Sequence, residues 1–310
     1  MSRITSLNIL LDPSGKDYLA ERSGLVIENV WKRLKSFKLK NTELSGDPEA
    51  GSVEAKRFCN ATAKAYGTAR TAGKGDAVKA KPVSVPIEFD KEIVEELEEK
   101  DTKLYGVEGL VEKRTNNHAI VMSAELDRKF YSVAYTAATE VHVPANTPIE
   151  EALEALIQEC ENTQNAYVDG VERELMNMAL NTANYGKIRN KLDTCVRANV
   201  DTTEEEFLAW HGVETDSIIH LPTGCSALLM VYGSVAEPVM TNGYNAEKIN
   251  LSDAYALELF YYYGCKAVTP DLIFTLVYDE PEEDDDEDED ENAGGGSGTG
   301  SGTGEGTGTT

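Results

Sequence analysis

The stretch VEGLVEKRTNNHAIVMSAELDRKFYSVAYTAAT, residues 107–139, decides how the rest of the chain is read. Its apolar residues Met122, Leu126, Phe130, Val133 and Ala137 step by 4, 4, 3 and 4, which keeps one helical stripe against a core. Neither proline nor glycine interrupts residues 110–139. At about 1.5 Å per residue such a helix spans on the order of 45 Å, longer than one compact domain requires. It is read as a strut.

Upstream, Gly106 separates the strut from a short helix expected where Glu92 to Glu99 surround Ile93, Val94 and Leu97. Val83, Val85, Ile87 and Phe89 alternate with polar or small residues and predict a strand over 82–90. Residues 1–85 have weaker patterning. One short amphipathic helix is expected around Val26, Val30, Trp31 and Leu34, with turns at Ser45-Gly46-Asp47-Pro48 and Gly73-Lys74-Gly75-Asp76. The segment between those turns, with Phe58, Tyr66 and Arg70, reads as extended or loop-like. Such an excursion has no core of its own, and a partner is expected to stabilise it.

Downstream, Thr147-Pro148-Ile149-Glu150 reads as a capping box with proline at the first helical position, and Ile149, Leu153, Leu156, Ile157 and Cys160 as the buried stripe of the helix it opens. A strand is expected over 175–180, then a helix capped by Asn181-Thr182 and running through Leu192. Short strands follow at Ile218–Leu221, Ala227–Tyr232, Leu257–Tyr263 and Leu272–Tyr278. The fold class expected is α+β.

Charge is unevenly distributed along the 310 residues. Half of the formal −26 lies in residues 279–310, which hold 13 acidic residues and neither Lys nor Arg. An unbroken acidic run from Glu282 to Glu291 precedes a Gly/Thr/Ser repeat, and this tail is expected to be disordered and solvent-exposed. Residues 1–85 carry +6 and residues 86–278 carry −19, a polarity suited to head-to-tail contact between copies. No apolar run approaches the roughly 18 residues of a membrane span. Met1-Ser2-Arg3-Ile4-Thr5 lacks the apolar stretch of a signal peptide, so a soluble, unexported chain is expected. Cys59, Cys160, Cys195, Cys225 and Cys265 are scattered and read as reduced core thiols.

The chain offers lookalikes but no catalytic constellation. Gly67-Thr68-Ala69-Arg70-Thr71-Ala72-Gly73-Lys74-Gly75 resembles a phosphate-binding loop, yet five residues rather than four separate its glycines and Gly75 replaces the magnesium-binding hydroxyl. His118, His142, His211 and His220 stand in no ligand pattern. The carboxylate pairs Glu95-Glu96, Glu98-Glu99 and Glu150-Glu151 and the run Glu204-Glu205-Glu206 read as solvated helix faces. Lys32, Arg33, Lys35, Lys38 and Lys40 form a basic stretch, read as an intersubunit contact in preference to a nucleic-acid contact. No catalytic, cofactor or metal residue is assigned.

Several stretches, in this order, resemble the major capsid proteins of tailed bacteriophages, which share the Hong Kong 97-like fold. They are Tyr66-Gly67-Thr68-Ala69-Arg70, Lys91-Glu92-Ile93-Val94-Glu95-Glu96-Leu97-Glu98-Glu99-Lys100-Asp101, Arg114-Thr115-Asn116-Asn117-His118, Glu125-Leu126-Asp127-Arg128-Lys129-Phe130-Tyr131, Tyr167-Val168-Asp169-Gly170-Val171-Glu172-Arg173 and Ala267-Val268-Thr269-Pro270-Asp271-Leu272-Ile273-Phe274. The resemblance implies an N-terminal arm over 1–44, an extended loop over 45–90 lying on a neighbouring subunit, and a peripheral domain with a spine helix over 91–146. An axial domain over 147–250, return strands over 251–278 and the tail over 279–310 complete the division. It further implies hexamers and pentamers of an icosahedral phage head enclosing double-stranded DNA, a virion location with assembly in the host cytoplasm, and a portal. No fused scaffold precedes the shell region, so a separate scaffolding protein is expected. The lysine, asparagine and glutamate of the isopeptide cross-link found in some relatives have no matching positions. The alternative on the same fold is an encapsulin-like nanocompartment shell around a cargo enzyme.

Overall fold

The computed structural model describes residues 6–194 and 209–280. A 3-10 turn over Leu7–Leu11 leads into α1 (Pro13–Arg33). Pro13 suits that start, since its fixed φ fits the helix and its missing N–H would have no partner there. The buried face of α1 runs through Gly15, Leu19, Ser23, Val26 and Val30. A Cβ on Gly15 would lie 2.1 Å from the Ile9 carbonyl oxygen, so only glycine lets the turn fold back onto the helix. The chain then forms β1 (Leu44–Ser45), β2 (Ser52–Phe58), α2 (Thr68–Ala72), β3 (Ala80–Pro86), β4 (Phe89–Leu97) and α3 (Glu99–Ala137). Gly106, at φ 74° and ψ 168°, kinks α3 near its start and leaves the straight strut beyond it.

The second half contains β5 (Thr139–Val143), α4 (Ile149–Glu161), β6 (Met176–Leu180), α5 (Thr182–Thr194), β7 (Ala209–Trp210), β8 (Val213–Ser217) and β9 (Ala227–Val231). It ends with β10 (Val235–Ala236), β11 (Val239–Thr241), β12 (Asn245–Lys248), β13 (Tyr255–Tyr263), β14 (Lys266–Ala267) and β15 (Ile273–Tyr278). Two main sheets result. In one, β4 runs antiparallel along the whole of β13, from Phe89 opposite Tyr263 to Leu97 opposite Tyr255, while β11 and β12 pair with the other edge of β13. Leu257, Leu259, Tyr261 and Tyr263 from this sheet pack on Leu19, Val26 and Val30 of α1 and on Val111, Met122 and Leu126 of α3.

The other sheet has six strands in the order β5-β15-β9-β6-β8-β7. Leu153, Leu156, Ile157 and Cys160 of α4 and Ile188 of α5 cover one face. Phe130, Tyr131 and Ala134, from the last turns of α3, pack on the opposite face beside Ala179, Leu228 and Ile273. The strut thus enters two cores, one at each end, which is what its length is for. Its buried stripe passes through Met122, Leu126, Phe130 and Ala134, with Val133 and Ala137 half-buried.

The structure differs from the sequence expectations in five places. Residues 92–97 belong to strand β4 rather than a helix, with Ile93, Glu95 and Leu97 turned inward at every second position and nine residues paired to β13. Helix α1 is far longer than the single amphipathic stretch around Val26, and Leu7, Leu10, Leu19, Val26, Val30 and Leu34 all lie in the core of their own chain. Helix α1 therefore buries its apolar face within its own chain. The strand expected over 82–90 is two strands, broken at Ile87 and Glu88. Ile218–Leu221 lies beyond β8, which occupies Val213–Ser217. Pro148, with no side-chain cap, starts α4 in place of the Thr147 box. The expectations for residues 281–310, Cys195 and Glu204-Glu205-Glu206 fall outside the described residues.

Candidate assembly surface

The hairpin of β2 and β3 projects from the body in continuous register, from Ser52 opposite Pro86 to Phe58 opposite Ala80. Alternation buries one face of its base: Val53, Ala55 and Val85 pack on Ala236 and Val268. Beyond that base the chain finds almost no cover. Phe58 is 57% exposed, Tyr66 94% and Val78 83%. Large apolar side chains left in water along the arm make it the candidate interaction surface of the chain.

Arg57 fixes where the arm leaves the body. Its guanidinium makes a fork–fork pair with Asp271, with Nη1 and Nη2 at 2.5 and 2.8 Å from the two carboxylate oxygens, and lies 4.2 Å over the Tyr167 ring. Asn165 donates its side-chain amide to the same carboxylate, and the Asn60 N–H donates to the Ala166 carbonyl. Burial alone would raise the Asp271 carboxyl, but the Arg57 guanidinium, together with a backbone N–H and the Asn165 amide, holds the group below its ordinary value. Gly264 lets the arm's other strand sit close, because a Cβ there would meet the Pro86 carbonyl oxygen at 2.1 Å.

Three residues of the basic stretch at the end of α1 and beyond it pair with acids of their own chain. Lys38 pairs with Glu214 and, at 2.7 Å, with Asp216; Lys40 pairs with Glu237 at 2.5 Å; Lys32 pairs with Glu28 one turn away. Buried Asp127 of α3 accepts from the backbone N–H groups of Lys35 and Ser36. Segment 34–41 is a strap tied to the body at three points.

The phosphate-loop lookalike forms the tip of the hairpin, where Gly67 and Gly73 bracket the five-residue α2. That helix is one short exposed turn with no strand packed behind it. The histidines stand apart. His118 is buried, with Nδ1 at 2.9 Å from the Tyr244 hydroxyl and Nε2 at 2.9 Å from Glu95, which also pairs with Arg114. His142 faces Asp279 and Glu140, and His211 stacks on Trp210 beside Glu154. Glu95 and Glu96 face opposite sides of a strand, so they are no carboxylate pair. Cys160, Cys225 and Cys265 are buried thiols and Cys59 is half-buried. Among the described residues no group of three His, Cys, Asp or Glu could hold a metal ion, and no helix is long and apolar enough to cross a membrane. The buried His118–Tyr244 contact and the Lys40–Glu237 pair have no signal in the sequence, because their partners are more than a hundred residues apart.

No protein-family model and no curated protein matches the sequence. Solved structures do. A structure from Mycobacterium phage Che8 superposes with a TM-score of 0.55 at 16% identity, covering 73% of this chain and 84% of its own. The capsid structure of cyanophage P-SCSP1u gives 0.55 at 14% identity, over 78% and 86%. The virus-like particle from Pyrococcus furiosus gives 0.53 at 13% identity, over 84% and 99%. With a strut helix shared between two cores, a projecting hairpin and this set of structural neighbours, the chain has the Hong Kong 97-like fold of phage capsid proteins.

Proposed function

We propose that this chain is the major capsid protein of a tailed phage. Many copies assemble, as hexamers and pentamers, into an icosahedral head around double-stranded DNA. One observation carries the reading: an ordered hairpin, anchored by Arg57 and Asp271, holds Phe58, Tyr66 and Val78 in solvent, on a fold otherwise seen in capsids. Isolated chains gain nothing from presenting those side chains to water. In a shell a neighbouring subunit covers them.

In this reading residues 45–90 are the extended loop, 91–146 with 251–278 the peripheral domain and 147–250 the axial domain. Residues 1–44 are an arm whose helix belongs to the peripheral core of its own subunit. A scaffolding protein and a portal act as separate partners. The acidic run Glu282–Glu291 lies on the outer surface, since packaged DNA would repel it from the inside. The likeness to the virus-like particle of Pyrococcus furiosus, which spans 99% of that chain, favours as second reading a shell of the same build around a different cargo.

Electron microscopy of the full-length chain, expressed alone and with a candidate scaffold, tests the proposal. Closed particles with five-fold vertices are the expected result, and monomers under every condition overturn it. Nucleic acid extracted from particles made in the native host separates the readings: genome-length DNA supports the phage head, and a protein cargo without it the alternative.

A further inference from the structure

The distal half of the hairpin, residues 59–81, carries Lys64, Arg70, Lys74, Lys79 and Lys81 against a single acid, Asp76, and all six are exposed. Lys64 pairs with Asp76 at 2.5 Å; among the described residues no ion pair engages the other four. Arg70 lies 5.8 Å over the ring of Tyr66, so the positive patch is continuous with the most exposed aromatic of the arm. A patch of this density attracts opposite charge within a Debye length of about 8–10 Å.

The densest opposite charge in the chain is Glu282–Glu291, ten acidic residues in succession. The place from which it departs is fixed. Asp279 donates its N–H to the Val143 carbonyl at 2.9 Å, at the end of β15, and just before the start of that strand stands Asp271, the anchor of the hairpin. Six strand residues cover about 20 Å at 3.3 Å each. The twelve residues from Glu280 to Glu291 reach about 40 Å when extended. The acidic run can pass back along β15 to the hairpin of its own chain.

We infer that Glu282–Glu291 docks on the basic distal half of the hairpin of the same chain, and that the acidic surface of a neighbouring subunit displaces it during assembly. The displacement rests on the shell reading above; the contact is a property of the unassembled chain. The run offers the arm the same chemistry as the neighbour's surface, and residues 86–278, at −19, supply that surface. Docking withholds the arm from contact between strangers at low concentration and yields to it at high concentration, where many weak contacts form together.

Carbodiimide cross-linking of dilute, unassembled full-length chain, mixed in equal parts from normal and nitrogen-15 cultures, tests the contact. Mass spectrometry should find amide links from Glu282–Glu291 to Lys64, Lys74, Lys79 or Lys81 within chains of one isotope. Their yield should fall at least fivefold in 0.5 M sodium chloride, and at least threefold in Arg70→Glu, which keeps all four linkable lysines. Links carrying both isotopes would assign the run to a second copy and overturn the inference. So would links spread evenly over Lys103, Lys113 and Lys248, an unaltered yield in salt, or none at all. Because the readout precedes assembly, microscopy judges the shell reading separately.

Discussion

The Lys40 ammonium lies 2.5 Å from a carboxylate oxygen of Glu237, and both side chains are almost sealed from solvent. The pair joins the strap after α1 to the turn between β10 and β11. Leaving one member of such a pair behind exposes the other to an uncompensated low-dielectric environment. Lys40→Met should therefore cost about 3–5 kcal/mol of unfolding free energy at pH 7.5. Lys40→Met combined with Glu237→Leu should recover most of that loss, because no charge stays buried. Urea titrations of the unassembled chains measure both, and equal stability of single and double variants would show that the pair is not coupled.

The same carboxylate gives a pH signature. Burial, opposed only in part by the Lys40 charge, pushes the Glu237 carboxyl up from 4.5 to about 7. A carboxyl raised in the folded state holds its proton more tightly there than in the unfolded chain. Its stabilising contribution is complete below about pH 4.5 and is lost as pH rises through about 7. Between pH 5 and 7.5 the native protein should lose up to about 3 kcal/mol relative to Glu237→Gln, which has no proton to release. Parallel stability profiles for the two chains in that window would contradict the assignment.

Asp271→Asn removes the charge that Arg57 is locked to and leaves a guanidinium only slightly exposed, at 13%, without its carboxylate. A loss of about 1–3 kcal/mol should be confined to the arm. Hydrogen exchange should speed up over 52–58 and 80–86 while β13 and α3 keep their protection. Faster exchange throughout the chain would mean that the anchor supports the body as well as the hairpin.

Gly264→Ala tests the seat of the arm from the other side. The added methyl would overlap the Pro86 carbonyl oxygen, which is backbone and cannot rotate away, so about 1–3 kcal/mol of strain is expected. Pro86 is paired with Ser52, and the displacement should pass into the base of the hairpin. Melting temperature and limited tryptic proteolysis after Lys79 read the two effects; an unchanged melting temperature and cleavage rate would show that the backbone has room.

The parts of the fold that sequence conveyed well are those where large apolar residues carry the period. The stripe Leu153, Leu156, Ile157 and Cys160 lies buried as expected, and so do Met122, Leu126 and Phe130. Helix α1 has the same spacing as α3, but two of its five buried positions are Gly15 and Ser23, whose small size rather than hydrophobicity suits them to close packing. In β4 the sequence EIVEEL fits either period, since Ile93 and Leu97 are four apart and also both odd-numbered positions of a strand. Pairing along β13 decided between them, and that partner lies more than 150 residues away. Strand β8 hid for a related reason: its inward Thr215 is polar, and it is satisfied by the Val213 carbonyl. Of the candidate surface, the extended character of Phe58 was legible, whereas the turn at Tyr66 that opens α2 and the capture of Lys38 and Lys40 by acids of their own chain required the tertiary structure.

Hydrogen exchange on the same chain before and after assembly tests the central claim most directly, read over residues 59–79 at the end of the hairpin. Amides of residues 61–66 and 74–78, which have no backbone acceptor among the described residues, should exchange freely in the subunit and become protected at least tenfold in the particle, while α1 and β13 change little. Equal exchange of that segment in both states would contradict an arm completed by its neighbour.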